Sequence, residues 1–185
     1  MRASRLVPAR SFPPYSYVPR RFPHPTRDAG GHSFGREEAC PDALTVENWR
    51  GSEDYLFGFD LFNHGYYWEA HEAWEGLWHA CGRKGEVAEH LKALIKLAAA
   101  GVKAREGNEA GVRRAAERAS VLFHRLMDAA ETNDNLFLGV SLAQLIQGAA
   151  SLEAAPDRAL NTAADPVIVA LPFKIEIQTI LRTDQ

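Results

Sequence analysis

The sequence predicts an all-α protein: an antiparallel bundle of about five helices with an extended N-terminal arm and an extended C-terminal tail. Apolar residues recur at the spacing of helix faces from about residue 52 to residue 152. Seven of the ten prolines lie in residues 1–41, which therefore form no long helix. Residues 173–177 alternate between apolar and charged side chains, which is the period of a strand.

Length and composition indicate one globular domain with two appendages. The 185 residues suffice to bury a core, and 46% apolar with 24% charged residues is typical of a globular protein. We assign residues 1–41 to a Pro/Arg/aromatic-rich arm, residues 42–155 to the helical bundle domain and residues 156–185 to the tail. The arm contains five aromatic side chains, which disordered linkers usually lack, so we expect it to pack on the body.

Charge and cysteine content restrict the partners and the compartment. Residues 1–41 carry a net charge of +4 and residues 42–185 one of −7. The arginines of the arm are dispersed, with no cluster longer than Arg20-Arg21, so we expect no nucleic-acid partner. The first 30 residues lack the apolar run of a signal peptide, and we expect no membrane association. Cys40 and Cys81 have no metal-binding spacing and are expected to be free thiols of a cytoplasmic protein.

The first four helices have recognisable ends. Ser52 is the expected N-cap of a helix that runs to Asn63 and stops before Gly65. The next three are expected from Tyr66 to Cys81, from Glu86 to Arg105, and from the cap Asn108 to Ala130. Short connections at residues 82–85 and 106–108 make these neighbours antiparallel.

The fifth helix is predicted from its lack of charge. No charged residue occurs from Asn135 to Leu152, so we expect this helix to be the most buried, within a core supplied by helices two to five. After Pro156, the strand-like segment 173–177 is expected to pack on the bundle, to pair with the arm or to pair with another subunit.

An aromatic-rich segment contains the candidate chemistry. Residues 49–78 hold all four tryptophans and ten of the eighteen aromatic side chains. On the second helix, His71 and Glu75 are four residues apart and hence on one face, at the edge of the apolar arc and beside Trp78. Glu69 and Glu72 are expected farther round the helix, toward solvent.

Two functional interpretations of the His71/Glu75 pair stay open beside a structural one. In the first, Glu75 orients His71 as a general base, or both residues ligate a metal ion, since imidazole and carboxylate groups suit zinc or iron. In the second, the pair holds a ligand by hydrogen bonds without reacting. In the structural interpretation, the two side chains satisfy one another and tie neighbouring helices. The sequence names no metal, cofactor or substrate.

Three features follow one another along the chain. They are the string Gly65-Tyr-Tyr-Trp-Glu-Ala-His-Glu-Ala-Trp-Glu-Gly-Leu-Trp78, an alanine-rich segment over residues 91–100, and the Gly107-Asn108 turn. Together they resemble the family catalogued as domain of unknown function 309, over about residues 53–127. The resemblance implies a small helical bundle, and its specific part is the string His-Glu-x-x-Glu-x-x-Trp. It points to His71, Glu72 and Glu75 as candidate catalytic residues and to Trp78 as a substrate-binding residue.

The arm supplies the remaining candidates for substrate binding. His24, Arg27, Asp28 and His32 lie around Gly30-Gly31, which permits a tight turn. We hypothesise that the arm closes as a lid over the second helix and forms one composite site with His71 and Glu75. Three other histidines lack a partner at a fixed spacing and are expected on the surface: His64, His90 and His124.

Two classes of function follow. The first is a small-molecule- or metal-binding protein, or a hydrolase-type enzyme, that uses the His/Glu pair. The alternative is a non-catalytic interaction protein, in which the aromatic-rich helices and the tail build a partner interface or a homo-oligomer. An interface requires exposed tryptophan and tyrosine in a flat patch, whereas a binding site requires them around a concave pocket. The sequence does not distinguish an enzyme from a binding protein.

Overall fold

The computed structural model describes residues 5–36, 40–129 and 136–178 and confirms the all-α class. Five α-helices follow one another within these residues: α1 (Glu53–Asn63), α2 (Tyr67–Ala80), α3 (Glu86–Glu106), α4 (Glu109–Ala129) and α5 (Leu142–Ala154). The other elements are two 3-10 turns, Trp49–Gly51 and Pro156–Ala159, and a hairpin of strands β1 (Leu136–Phe137) and β2 (Val140–Ser141). Ala130 and Asn135, the expected end of helix four and start of helix five, lie outside the described residues.

Capping residues account for the start of α1, the end of α3 and the start of α4. The Ser52 hydroxyl accepts a hydrogen bond from the Tyr55 amide at the start of α1 (3.4 Å). Gly107, in the left-handed conformation (φ +74°), ends α3. The Asn108 side chain then accepts a bond from the Gly111 amide (2.8 Å) at the start of α4. Each helix packs against the next one along the chain, as the short connections require.

The fifth helix begins at Leu142, not at Asn135 as expected. Leu138 and Gly139 both have positive φ angles (46° and 81°) and form the two-residue turn between β1 and β2. Two successive residues in this conformation cannot continue a right-handed helix. Ser141 then caps α5 with its hydroxyl. The uncharged segment therefore contains a hairpin followed by a shorter helix.

The expectation that the uncharged helix is the most buried one is wrong. Five of the 13 residues of α5 are buried, against 12 of 21 in α3 and eight of 11 in α1. The outer face of α5 carries Ala143, Gln144 and Gln147, which are uncharged and exposed, so absence of charge does not imply burial. α1 thus contributes to the core, although helices two to five were expected to supply it. No helix within the described ranges is long and apolar enough to cross a membrane.

Buried carboxylates fix the arm to the bundle. Asp60 of α1 is 3% exposed and accepts hydrogen bonds from the backbone amides of Leu6 and Val7, both at 2.8 Å. The Arg5 guanidinium lies 3.7 Å from the same carboxylate. Bonds to a charged acceptor contribute about 1.5–3 kcal/mol each. Glu69 of α2 acts in the same way on a later part of the arm, at the site described below.

Polar side chains of three helices hold the tail. They are Asn63 of α1, Tyr67 of α2 and Arg105 of α3. Their partners are backbone groups: Ile175 for Asn63, Ala170 and Leu171 for Tyr67, and Asn161 and Asp165 for Arg105. At its end the tail pairs with the hairpin through an isolated bridge between Ile177 and Val140. Of the three arrangements expected for residues 173–177, the structure shows packing on the bundle.

His90, which was expected on the surface, lies in the core. It is fully buried on α3, and its Nε2 lies 3.0 Å from the Tyr55 hydroxyl, which also bonds to the Leu138 carbonyl (3.0 Å). The single hydroxyl proton goes to the carbonyl, so Nε2 carries a proton and donates to the hydroxyl oxygen. Burial lowers the pKa of His90 from 6.5 to about 3, so the ring is neutral at pH 7. His124 is exposed as expected, and His64 is half-buried.

We expect Asp60→Asn to lower the free energy of unfolding by about 2–3 kcal/mol, because the NH₂ group that replaces one carboxylate oxygen turns a donor toward one of the two backbone donors. The matched control is Asp157→Asn at an exposed position, which should change stability by less than about 0.5 kcal/mol. Urea unfolding followed by circular dichroism measures both. Equal stabilities of the two variants would contradict this role of Asp60.

The depressed pKa of His90 predicts a pH dependence of stability. Between pH 6.5 and about 3 only the unfolded chain takes up a proton at this residue, so stability falls as the pH is lowered through that window. The contribution is at most about 1.4 kcal/mol per pH unit. His90→Leu should flatten the change in urea midpoint between pH 7 and pH 5, whereas His124→Leu at an exposed site should leave it unchanged. An unaltered profile in His90→Leu would show that other groups cause the dependence.

Candidate functional site

Helix α2 holds the three candidate catalytic residues on a rigid surface. Its residues Trp74 and Leu77 are fully buried against the bundle, which fixes the rotation of the helix about its axis. His71 and Glu75 consequently lie half-buried at the edge of the apolar face, and Glu72, farther round the helix, is half-buried as well. Their relative positions are therefore set by helix geometry and not by a loop.

His71, Glu72 and Glu75 form a cluster of metal-ligand type. The His71 Nδ1 atom lies 3.2 Å from Glu72 Oε1 and 4.0 Å from Glu75 Oε2. One nitrogen or oxygen atom of each residue lies within 4.8 Å of the others. The side chains are 25%, 36% and 38% exposed, so a ligand can reach them from solvent. Glu72, not Glu75, is the nearer partner of the imidazole.

The donor set suits a divalent ion of a first-row metal. One imidazole nitrogen and two carboxylates are ligands that Zn²⁺, Fe²⁺ and Mn²⁺ accept. A carboxylate only accepts hydrogen bonds, so the 3.2 Å contact with Glu72 places a proton on Nδ1 of His71. An ion bound at Nδ1 would displace that proton and leave the neutral ring protonated at Nε2. Among the residues that the structure describes, this is the one such group of three.

Glu69 is buried, and the expectation that it faces solvent is wrong. It is 7% exposed, and the arm covers it. Its Oε1 accepts hydrogen bonds from the Tyr17 amide (2.8 Å) and from His32 Nε2 (3.2 Å), and its Oε2 accepts one from the Ser16 hydroxyl (3.0 Å). The helix alone would expose this carboxylate, whereas the docked arm removes it from water and supplies its donors.

His32 is the arm histidine that bonds to α2, and its partner there is Glu69. Because a carboxylate only accepts, Nε2 of His32 carries a proton, and Nδ1 is then free to accept from the Ser33 hydroxyl 3.0 Å away. The edge of the Tyr15 ring, with its centroid at 4.8 Å, supports the imidazole. The lid hypothesis placed this residue beside His71 and Glu75; in the structure it lies next to the cleft that Glu72 also lines.

The cleft lies between the arm, α1 and α2 and has a volume of about 370 Å³. Its apolar wall includes Phe57, Leu61, Trp68 and Ala73. The charged and ionisable groups in its wall are Arg10, His32, Asp54, Glu69 and Glu72. Glu72 thus belongs both to the cleft and to the ligand cluster, so the two adjoin.

Most charges in the cleft wall are paired with one another. Arg10 Nη1 donates to Asp54 Oδ1 at 2.6 Å, and the guanidinium lies over the Phe57 ring, 4.2 Å from its centroid. The carboxylate of Glu69 accepts three hydrogen bonds from the arm. The partner of Glu72 is His71, itself a member of the ligand cluster. Among the carboxylates of the cleft wall, Glu72 is therefore the one that also belongs to the ligand cluster.

The other candidate residues of the arm have structural contacts. The His24 ring packs against those of Tyr17 and Trp68, at centroid distances of 5.0 and 5.6 Å. Its backbone amide donates to Asp28 Oδ2 at 2.6 Å, which closes a turn. Arg27 is exposed at that turn. The structure does not place these three residues in the wall of the cleft.

Trp68, and not the predicted substrate-binding residue Trp78, lines the cleft. The guanidinium of Arg83 lies 5.3 Å from the centroid of the Trp78 ring, and Trp78 is not part of the cleft wall. Trp68, Arg10 and Asp54 were not singled out from the sequence. One signal was available for Trp68: it precedes Glu72 by four residues, a spacing that places both on one helix face.

Comparison with known proteins gives one match. Residues 55–115 match the model of a family described as domain of unknown function (DUF309). The matched segment begins within α1, includes α2 and α3, and ends within α4, so it contains the ligand cluster. No curated protein matches the chain.

Removing the charge of Glu69 should release the arm. We expect Glu69→Gln to lower stability by about 2 kcal/mol and to speed cleavage by trypsin after Arg20, Arg21 or Arg27 at least tenfold, because the amide faces donors with its own N–H groups. The matched control is Glu72→Gln on the same helix, which bonds to no arm residue in the described ranges and should be cleaved like the wild type. Mass spectrometry of the fragments measures both rates, and equal rates would contradict the anchoring role.

Proposed function

We propose that this chain, whose residues 55–115 match the DUF309 family, binds a divalent transition-metal ion through His71, Glu72 and Glu75. The observation that supports this function is the grouping of three ligand atoms within 4.8 Å on one helix. The ion is a first-row divalent metal ion such as Zn²⁺, Fe²⁺ or Mn²⁺, because the set combines one imidazole with two carboxylates.

The spacing of the three side chains fits such an ion after small rotamer changes. With metal–ligand distances of about 2.1 Å, two ligands at a tetrahedral angle lie about 3.4 Å apart. The distances from His71 Nδ1 to the two carboxylates are 3.2 and 4.0 Å, close to that value. Both glutamates are more than a third exposed, so their side chains have room to adjust. The backbone of α2 need not move.

Three protein ligands leave coordination positions open, which is the arrangement of catalytic and not of structural sites. An ion there would supply Lewis acidity to a molecule bound beside it. The chain's own contribution is orientation: α2 holds the ligands, and the arm, fixed by Glu69, builds the opposite wall of the adjoining cleft. This arrangement supports a small-molecule site of hydrolase type.

The alternative, an aromatic interface, has no comparable support among the described residues. Trp49 and Trp74 are buried, and Trp68 and Trp78 are half-buried. The exposed large hydrophobic side chains lie on four separate segments: Phe34, Val46, Val121 and Val169. Isolated residues of this kind are normal on a surface and form no flat patch. We therefore do not propose the interface as the function.

Metal analysis tests the proposal. We expect the purified protein to bind one Zn²⁺ per chain in calorimetry, with affinity falling by about 100-fold in His71→Ala and at least about tenfold in Glu75→Gln, since each removes one of three ligands. Affinity should rise with pH, because the ion competes with protons for the imidazole.

The matched control is His124→Ala, which removes an exposed histidine from α4 and should leave the affinity unchanged. Circular dichroism confirms that each variant is folded. Absence of Zn²⁺, Mn²⁺ and Fe²⁺ binding by the folded wild type, or equal Zn²⁺ affinities of wild type and His71→Ala, would refute the proposed function.

A further inference from the structure

We propose that the cleft between the arm, α1 and α2 binds a small monoanionic organic acid, with its carboxylate on the metal side and its apolar body on Phe57, Leu61 and Trp68. This inference rests on the proposed function, since the ion held by Glu72 is the anchor of the carboxylate. It adds the ligand class and the residues that select it.

The shape and lining of the cleft favour an apolar body. Phe57 and Leu61 belong to the buried core, so the floor is rigid and presents carbon atoms. Trp68 and Ala73 extend this surface along α2 toward Glu72. The volume of about 370 Å³ is near the lower end of the roughly 300–1,000 Å³ typical of small-molecule sites. A body of one or two rings, or a short branched chain, fits this space.

The charges of the wall favour one negative charge on the ligand. The metal centre and Arg10 attract an anion, and Arg10 uses one amino group on Asp54 while its guanidinium carries further donors. Asp54, Glu69 and Glu72 are carboxylates of the same wall and disfavour a dianion such as a phosphate monoester. An organic cation is disfavoured once the ion occupies the cluster, because Glu72 is then engaged. A ligand with a single carboxylate carries a negative charge for the ion and Arg10 and lacks the second charge that the wall carboxylates repel.

Glu72 connects the two halves of the site. It lines the cleft and lies in the ligand cluster, so an ion held by the cluster would lie next to the cleft. The arm is required as well, because it contributes Arg10 and His32 to the opposite side. The buried bonds of Glu69 to Ser16, Tyr17 and His32 hold that side in place without a ligand. The cleft is therefore preorganised, which favours affinity for a small molecule.

The experiment is calorimetric titration of the full chain with three probes, in the metal-free state and after loading with one equivalent of Zn²⁺. The probes are 2-naphthoate, acetate and 2-naphthylmethylammonium, which separate the head group from the apolar body. We expect 2-naphthoate to bind the Zn²⁺-loaded protein at least about tenfold more tightly than the metal-free protein or than acetate, which lacks the body. The ammonium probe should give no measurable binding.

Two variants locate the probe without removing a metal ligand. Ala73→Phe fills the cleft and should weaken 2-naphthoate at least about tenfold while Zn²⁺ affinity stays as in the wild type. Its matched control is Ala143→Phe, at an exposed alanine of α5. Arg10→Gln removes a half-exposed cation and should weaken 2-naphthoate several-fold, whereas Arg36→Gln, at an exposed arginine of the arm, should not. Resistance of each variant to trypsin shows that the arm is docked.

The outcomes separate the two proposals. If Zn²⁺ does not bind, the proposed function is refuted and this inference fails with it. If Zn²⁺ binds with the expected loss in His71→Ala but 2-naphthoate does not bind, the inference alone is overturned. Equal 2-naphthoate affinity of loaded and metal-free protein, unaltered affinity in both Ala73→Phe and Arg10→Gln, or tighter binding of the ammonium probe also overturns it.

Discussion

Hydrogen bonds between helix side chains and the backbones of the two extended segments are the constraint on which this structure depends. Asp60 and Glu69 hold the arm, and Asn63, Tyr67 and Arg105 hold the tail. An extended segment outside a sheet has no regular partner for its amides and carbonyls, and unpaired buried groups cost about 1–3 kcal/mol each. The buried side chains have the same requirement, since an isolated carboxylate or guanidinium is more costly still. Each side of these contacts thus satisfies the other, and neither is stable in its buried position alone.

The candidate site is a direct consequence of this pairing. One face of α2 is buried against the bundle, and the arm covers a second side at Glu69. Between these two covered sides remains a strip of the helix surface with the ligand cluster, and along its border runs the cleft. Because the bundle fixes one wall and buried charge-assisted bonds fix the other, the geometry does not require a ligand to form. The site is therefore built where two different kinds of packing meet on one helix.

The sequence predicted those parts of the fold that depend on local chemistry. The caps at Ser52 and Asn108 determine helix starts within a few residues, and the structure agrees with them. The start of α5 was missed because two residues with positive φ follow an apolar run that has no other mark of a hairpin. Glu69 and His90 were misplaced for a related reason: their burial depends on partners from the arm and from α1, and helical periodicity describes only one helix. The cluster on α2 could be located because its residues share one helix, whereas the wall built by Arg10 and Asp54 needs tertiary contacts.

The buried guanidinium of Arg105 shows that the segment matched by the family is shorter than the segment that folds as one unit. The family match covers residues 55–115 and thus includes Asp60, Glu69 and Arg105. The groups that satisfy these three charges lie outside that range, at Leu6 and Val7, at Ser16 and Tyr17, and at Asn161 and Asp165. A fragment cut to the matched segment would keep three ionised side chains and lose their partners. In this protein the smallest cooperative unit therefore includes the arm from Leu6 and the tail as far as Asp165, and this part of the arm belongs to the folding unit as much as the helices that it covers.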